Sequence, residues 1–358
     1  MTSAQQWASR AASAAEAVDL RFGHRLLGLP GTWLGRISTG TRSGTEWHYW
    51  WQAHYLDCLI DAGWREFQTA GSAASRNILK KAKAFPRTIW LRNFFRLRNS
   101  YFDDMAWLAL ASLRANALTR KAEGKPFPQA RAIRRVLGKQ LHSALSTELG
   151  GGMYWSKRRD YKNSAVNGPG ALYFARTGDG PLAQRILDWM RRELWQAELG
   201  LYIDGVHLRA SGPEREDTIW SYNQGPVLAA LCALPTTDNL DHAAELILGV
   251  ERGLCQDGVL RLHGEGDPGL FTGILVRHLA TAARQELLPP ASRAAARRMV
   301  LNTAEALWAS RSAAGPALFS KDLQLSADRS YPPGSAVPLS VQLQAWMIFE
   351  MAYRLASA

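Results

Sequence analysis

Tyr101-Phe102-Asp103-Asp104-Met105-Ala106-Trp107-Leu108-Ala109-Leu110-Ala111 decides how this chain folds. From Met105 onward every position is apolar, so a helix built from it has no side to turn to water. Such a helix must be wrapped by others. Pro226-Val227-Leu228-Ala229-Ala230-Leu231 reads the same way. Between segments of this kind lie striped ones: Arg131, Arg134, Arg135 and Lys139, then Arg185, Asp188, Arg191 and Arg192, then Arg293, Arg297 and Arg298, each set on one helical face. Breaks at Gly, Pro and Ser clusters place twelve helices near residues 3–19, 46–66, 70–85, 103–120, 128–148, 162–177, 180–197, 219–234, 238–255, 268–285, 290–311 and 337–356. Odd-numbered members carry a charged face, and even-numbered members are apolar nearly all round. Six outer–inner hairpins closed in a ring make an all-α (α/α)6 barrel, which is the predicted fold. No alternating strand exceeds a few residues, and no Pro/Gly-rich linker divides the chain. The expectation is a single domain over residues 1–358.

Composition bounds the function. With 47% hydrophobic and 21% charged residues, the 358-residue chain can build a large core. Its 14 Trp are more than packing alone calls for, and a surplus of Trp suits a cleft that binds flat apolar faces such as sugar rings. The net charge of +12 comes mostly from scattered Arg, with one cluster at Lys80, Lys81 and Lys83. No recognition motif accompanies it, so no specific nucleic acid is expected. Cys58, Cys232 and Cys255 show no CxxC spacing, and the eight His show no metal-ligand spacing. Neither a disulfide framework nor a metal or other cofactor is expected. Residues 1–23 lack an apolar signal-peptide core, and no apolar run is long enough to span a bilayer. These features lead to the expectation of a cytoplasmic protein.

Unusual residues collect just before the inner helices: Glu46 to Trp51, Asn99 to Asp104, Gly150 to Trp155 and on to Asn163, Asp217 to Gln224, and His263 to Gly273. In a ring of inner helices these ends open onto one face, where five distant stretches converge into a cleft. Asp103 and Asp104 stand there side by side. Ser100-x-x-Asp103 has the form of a capping box, and acids suit a first helical turn. One cap needs no second anion in an apolar collar, however, so the pair points to acid–base or nucleophilic work. Adjacent Cα atoms lie about 3.8 Å apart. That fits the carboxyl separation of retaining glycosidases, about 5–5.5 Å, better than the roughly 6.5–9.5 Å of inverting ones. In the double displacement this predicts, one Asp attacks the anomeric carbon. The other, kept protonated by its neighbour's charge, protonates the leaving oxygen and then activates water.

The same segments resemble those of glycoside hydrolase family 76, the endo-α-1,6-mannanases. The resemblance runs from Trp47 to the last helix through Tyr-Trp-Trp-Gln-Ala-His-Tyr-Leu-Asp (49–57), Tyr-Phe-Asp-Asp-Met-Ala-Trp (101–107), Gly-Gly-Met-Tyr-Trp (151–155) with Tyr-Lys-Asn (161–163), Trp-Ser-Tyr-Asn-Gln-Gly (220–225) and Phe-Thr-Gly-Ile-Leu-Val-Arg (271–277). It implies an (α/α)6 barrel that hydrolyses α-1,6-linked mannan with retention, Asp103 being the nucleophile and Asp104 the acid/base. By the same resemblance Trp50, Trp51, Trp155 and Trp220 are positions for stacking on sugars, with core packing the other reading of each. Asn163, Asn167, Tyr222, Asn223 and Gln224 are positions for bonding sugar hydroxyls or for capping at the barrel rim. Asp204 is a further hydroxyl ligand or plain Asp-Gly turn chemistry, and Tyr101 joins the substrate-binding set beside the acids. His48 and His54 read as structural. Thr272 stands where the family usually has Lys.

Three rivals remain. Terpene-type synthases hold magnesium diphosphates on acids about a helical turn apart, and residues 106 to 108 contain none. A non-catalytic glycan-binding barrel would use the same cleft without turnover. Another (α/α)6 sugar enzyme, such as an epimerase, would rely on histidines, which are sparse at these ends. The basic charge adds one expectation: a mannan carried on an anionic glycolipid, with peripheral contact to an anionic membrane.

Overall fold

The computed structural model describes residues 2–40 and 47–357; Glu46, where the second expected helix begins, lies outside them. The helices are α1 (Ser3–Arg21), α2 (Tyr49–Arg92), α3 (Phe102–Glu123), α4 (Ala130–Ser143), α5 (Ser164–Thr177), α6 (Gly180–Glu193), α7 (Ser221–Ala233), α8 (Thr237–Leu254), α9 (Phe271–Ala282), α10 (Pro290–Ala309), α11 (Ala327–Ser330) and α12 (Leu339–Ala356). α2 contains two of the expected helices. At Gly71 the backbone is left-handed (φ 81°). A Cβ placed on Gly63 would lie 3.8 Å from Ser75 Oγ. A straight helix would hold those residues about 18 Å apart, so α2 is a hairpin of an inner and an outer limb.

The inner ring is the first limb of α2, then α3, α5, α7, α9 and α12. Each packs on the next, and α12 returns to α2 to close the circle. The helices outside it are α1, the second limb of α2, α4, α6, α8 and α10, so the fold is the (α/α)6 barrel that the alternation predicts. Glycines let the inner helices approach. A Cβ on Gly168 would meet Pro226 Cβ at 3.2 Å, one on Gly225 would meet Leu275 Cα at 3.1 Å, and one on Gly273 would meet Gln344 Cα at 3.0 Å. The core is correspondingly dense in fully buried side chains, Phe102, Phe174, Trp346 and Phe349 among them.

Short strands decorate the loops. β1 (Gly23–His24) pairs with β2 (Leu34–Gly35); β3 (Tyr161–Asn163) leads directly into α5; β4 (Trp195–Gln196) pairs with β5 (Leu201–Tyr202). β6 (Gly205–Arg209) and β7 (Gly212–Glu216) form an antiparallel hairpin that joins β3 in the order β3-β6-β7, and β8 (Cys255–Gln256) pairs with β9 (Val259–Leu260). The β6–β7 hairpin and the single turn α11 are not anticipated by the sequence pattern. Gly212-Pro-Glu-Arg-Glu has no apolar alternation to announce a strand. No helix among the described residues is long and apolar enough to cross a membrane.

Candidate active site

Where the inner helices begin, a cleft of about 690 Å³ opens on the barrel axis. The start of α2 contributes Trp47, His48, Tyr49 and Trp50, and the approach to α3 contributes Asn93, Asn99, Ser100 and Tyr101. Asp103, Asp104 and Trp107 form one wall. Trp155, Tyr161, Asn163, Asp204, Tyr222, Asp267 and Phe271 close the others.

The start of α3 is pinned by backbone. Phe102 N–H donates to Trp155 C=O at 2.8 Å, and Trp155 N–H donates to Tyr161 C=O at 2.8 Å. The preceding loop is strapped by buried Lys162, whose Nζ donates to the Glu148 carbonyl, to the Gly151 carbonyl at 2.5 Å and to Ser146 Oγ at 3.1 Å. Burial lowers that ammonium to a pKa of about 8. The strap holds Trp155 so that its Nε1–H donates to Asp103 Oδ2 at 2.9 Å. Asp104 Oδ2 accepts from Asn99 Nδ2. Asp103 Oδ1 is buried and has no hydrogen-bond partner among the described residues.

Among the described residues neither acid is in an ion pair, and no cation is among the causes that shift them. Burial raises the Asp103 pKa to about 7; Trp155 and the backbone N–H groups of Asp104 and Asp103 pull it back, and Asp204 pushes it further up. Asp104 lies well above the ordinary carboxyl range, through burial first and then the charge of Asp103, with Asn99 opposing and Asp267 adding. Asp103 has the indole and the helix N-terminus to steady a negative charge, whereas Asp104 has one amide and two nearby acids, Asp103 and Asp267. Of the two, Asp104 has the surroundings that favour the protonated form.

Across the cleft, Asp204 accepts from Tyr161 O–H at 2.6 Å and from Asn223 Nδ2 at 2.8 Å, and burial raises its pKa. Tyr222 stacks on Phe271 with centroids 4.0 Å apart.

Of the positions singled out in the sequence, Trp50, Tyr101, Asp103, Asp104, Trp155, Asn163, Asp204 and Tyr222 share this cleft. The others stand behind it. Trp51 is buried, its Nε1–H donating to Asp267 Oδ1 at 2.8 Å. Asn167 spends its amide on the Met153 N–H, the Met153 carbonyl and the Asn163 carbonyl. Gln224 does the same with the Tyr202 N–H and the Tyr202 and Trp220 carbonyls. Both are fully buried, so the expectation of direct sugar contact by Asn167 and Gln224 is corrected: they satisfy loop backbone that would otherwise be orphaned. Asn223 reaches Asp204 instead of the cleft, and Trp220 packs edge-on against Phe271 and His263. His48, read as structural, lines the cleft. Thr272 is buried with its hydroxyl on the Arg261 carbonyl at 2.7 Å, so it takes no part in the wall where the resemblance implies a lysine. Tyr161 and Asn99 were passed over although they stand inside the quoted segments, and Asp267 was hidden in turn chemistry, Gly266-Asp267-Pro268-Gly269.

The model of glycosyl hydrolase family 76 matches residues 3–354. Among solved structures, the chain is similar to the GH76A α-1,6-mannanase of Salegentibacter sp. HEL1_6, at 27% identity and a TM-score of 0.83 over 98% of this chain and 99% of that one. A variant of that mannanase inactivated by replacing two consecutive aspartates with alanine was solved with α-1,6-mannotetraose. The Lin0763 protein of Listeria innocua (23% identity, TM-score 0.80, covering 99% and 98%) and the family 76 mannosidase Bt3792 of Bacteroides thetaiotaomicron VPI-5482 (16%, TM-score 0.74, covering 98% of each chain) share the fold. Comparison with curated proteins returned no match.

Proposed function

The chain belongs to glycosyl hydrolase family 76, and from that premise we propose that it cleaves α-1,6-mannosidic linkages by a retaining double displacement through Asp103 and Asp104. One observation carries the reading: buried Asp104 and partly buried Asp103 share one cleft with no ion pair to either among the described residues, and their surroundings favour the proton on Asp104. Asp103, its charge steadied by Trp155 and the first turn of α3, attacks the anomeric carbon. Asp104 gives its proton to the departing oxygen. The resulting mannosyl ester on Asp103 is hydrolysed when Asp104, now a carboxylate, takes a proton from water and the ester bond breaks. The cycle returns both acids to their starting states.

Substrate contacts follow from the walls. Trp50, Trp155 and Tyr222 offer ring faces for sugar C–H groups, Asn163 and Asp204 offer polar atoms for hydroxyls, and Tyr101 stands exposed at the rim. The inactive double-aspartate variant of the Salegentibacter enzyme, solved with α-1,6-mannotetraose, supports both the role of an adjacent pair and the substrate class.

The test is hydrolysis of α-1,6-mannotetraose. The wild type releases shorter mannosides, and Asp103→Asn and Asp104→Asn each lose about 10²–10⁴-fold in rate. Full turnover by both variants would remove the pair from catalysis.

A further inference from the structure

The chain that joins the second limb of α2 to α3 exposes what most proteins bury. Phe94 is 81% and Phe95 64% exposed. Both have left-handed backbone (φ 51° and 59°), which bulky side chains rarely adopt and which clusters at functional positions. The loop is built to hold that shape. Asn93 Nδ2 donates to the Arg96 carbonyl at 2.9 Å and the Arg98 carbonyl at 3.0 Å, and Tyr49 O–H donates to the Leu97 carbonyl at 2.5 Å. Trp90, 42% exposed, packs edge-on against Phe95 at 4.8 Å. A second loop lies against the same end of α2, its Trp33 N–H donating to Thr88 Oγ1 at 2.8 Å, and it exposes Leu27 by 77%.

Cations surround these apolar tips. Arg87, Arg96, Arg98 and Lys157 are exposed, and none is paired with a carboxylate among the described residues. Lys157 N–H donates to the Ser100 carbonyl at 3.0 Å, which places that residue beside the loop. Its ammonium is lowered by burial and then by Arg98 and Arg96, the mark of an uncompensated positive field. Asn93 and Asn99, at the two ends of the loop, line the cleft, so this rim is also its mouth.

Aromatic and leucine tips in a collar of unpaired Arg and Lys have the composition of an interfacial membrane contact. Rings enter the headgroup–acyl boundary while the cations meet lipid phosphates. We propose that the Phe94–Phe95 rim docks the enzyme on an anionic lipid bilayer, presenting the cleft to mannosides carried at that surface. The docking stands on the rim alone; the presented substrate rests on the mannoside-hydrolase reading.

Sedimentation with phosphatidylcholine–phosphatidylglycerol vesicles, against pure phosphatidylcholine vesicles, tests it. The wild type binds the anionic vesicles about tenfold or more tightly than the neutral ones, and added salt weakens the binding. Phe94→Ser with Phe95→Ser, and separately Arg96→Glu with Arg98→Glu, each lose about tenfold on the anionic vesicles. Both double variants hydrolyse soluble α-1,6-mannotetraose at the wild-type rate, which shows that the barrel and cleft are intact. Equal binding to the two vesicle types, no vesicle binding at all, or wild-type binding by both double variants overturns the proposal. Vesicle binding by a protein that cleaves no mannoside would leave the docking standing and sink the hydrolase reading.

Discussion

Two pairs of aspartates point into this barrel, and they have opposite surroundings. Asp57 and Asp61, one turn apart on the inner limb of α2, are clamped by two arginines. Arg114 reaches both, and Arg277 bonds Asp57 at 2.8 Å and Asp61 at 2.5 Å. Burial works against the charge of Arg277, yet the two acids raise its pKa on balance. Among the described residues Asp103 and Asp104 have no such partner; an indole and an amide are their side-chain donors. The difference teaches that buried acids are not chemistry by themselves. Where cations neutralise them they tie helices together, and where nothing does, the proton becomes available for work.

The largest effect expected from breaking this contrast is on rate. Asp103→Asn or Asp104→Asn cuts mannotetraose hydrolysis by about 10³-fold. It also stabilises the fold at neutral pH. Both carboxyls have raised folded pKa values, so the wild type is most stable below the unfolded value and loses stability as pH rises through each folded value, about 7 for Asp103 and well above the ordinary carboxyl range for Asp104. Thermal melting at pH 7 therefore shows higher midpoints for the variants, and the gain vanishes near pH 4.

The reverse follows on the other pair. Arg277→Met leaves Asp57 and Asp61 short of one buried cation and costs about 3–5 kcal/mol in denaturant unfolding. The folded fraction of that variant keeps a working cleft, and loss of activity without loss of stability would contradict the division.

Two smaller changes sharpen the assignment within the proposed catalytic pair. The pH profile of kcat/KM is bell-shaped, with an acid limb set by ionisation of Asp103 and a basic limb set by loss of the Asp104 proton. Trp155→Phe removes the donor that lowers Asp103 and moves the acid limb up by about one pH unit. Asn99→Ala removes the donor that lowers Asp104 and moves the basic limb up, with a smaller change in rate. A profile unmoved by both substitutions would mean that these contacts do not tune the pair.

The ring architecture was readable because burial on all sides leaves a compositional mark. Segments such as 105–111 have no polar face, and their striped neighbours do. The hairpin inside α2 was readable as two helices, since Gly71 breaks the pattern, whereas β6 is held by pairing with β3, and β7 by pairing with β6, and neither carries a period of its own. Within the site, position along each helix was clear and rotation about it was not. Trp50 faces the cleft and Trp51, about 100° round the helix, faces Asp267. Asn163 lines the cleft, while Asn167, one turn on, ties down Met153. An amide serves a sugar hydroxyl or an orphan carbonyl equally well, so residue type alone cannot separate the two.

The most direct test of the paired-acid account is the anomeric form of the first product released from α-1,6-mannotetraose, followed by proton NMR before mutarotation. The account predicts the α-anomer, retained through an ester on Asp103. Initial release of the β-anomer would contradict it.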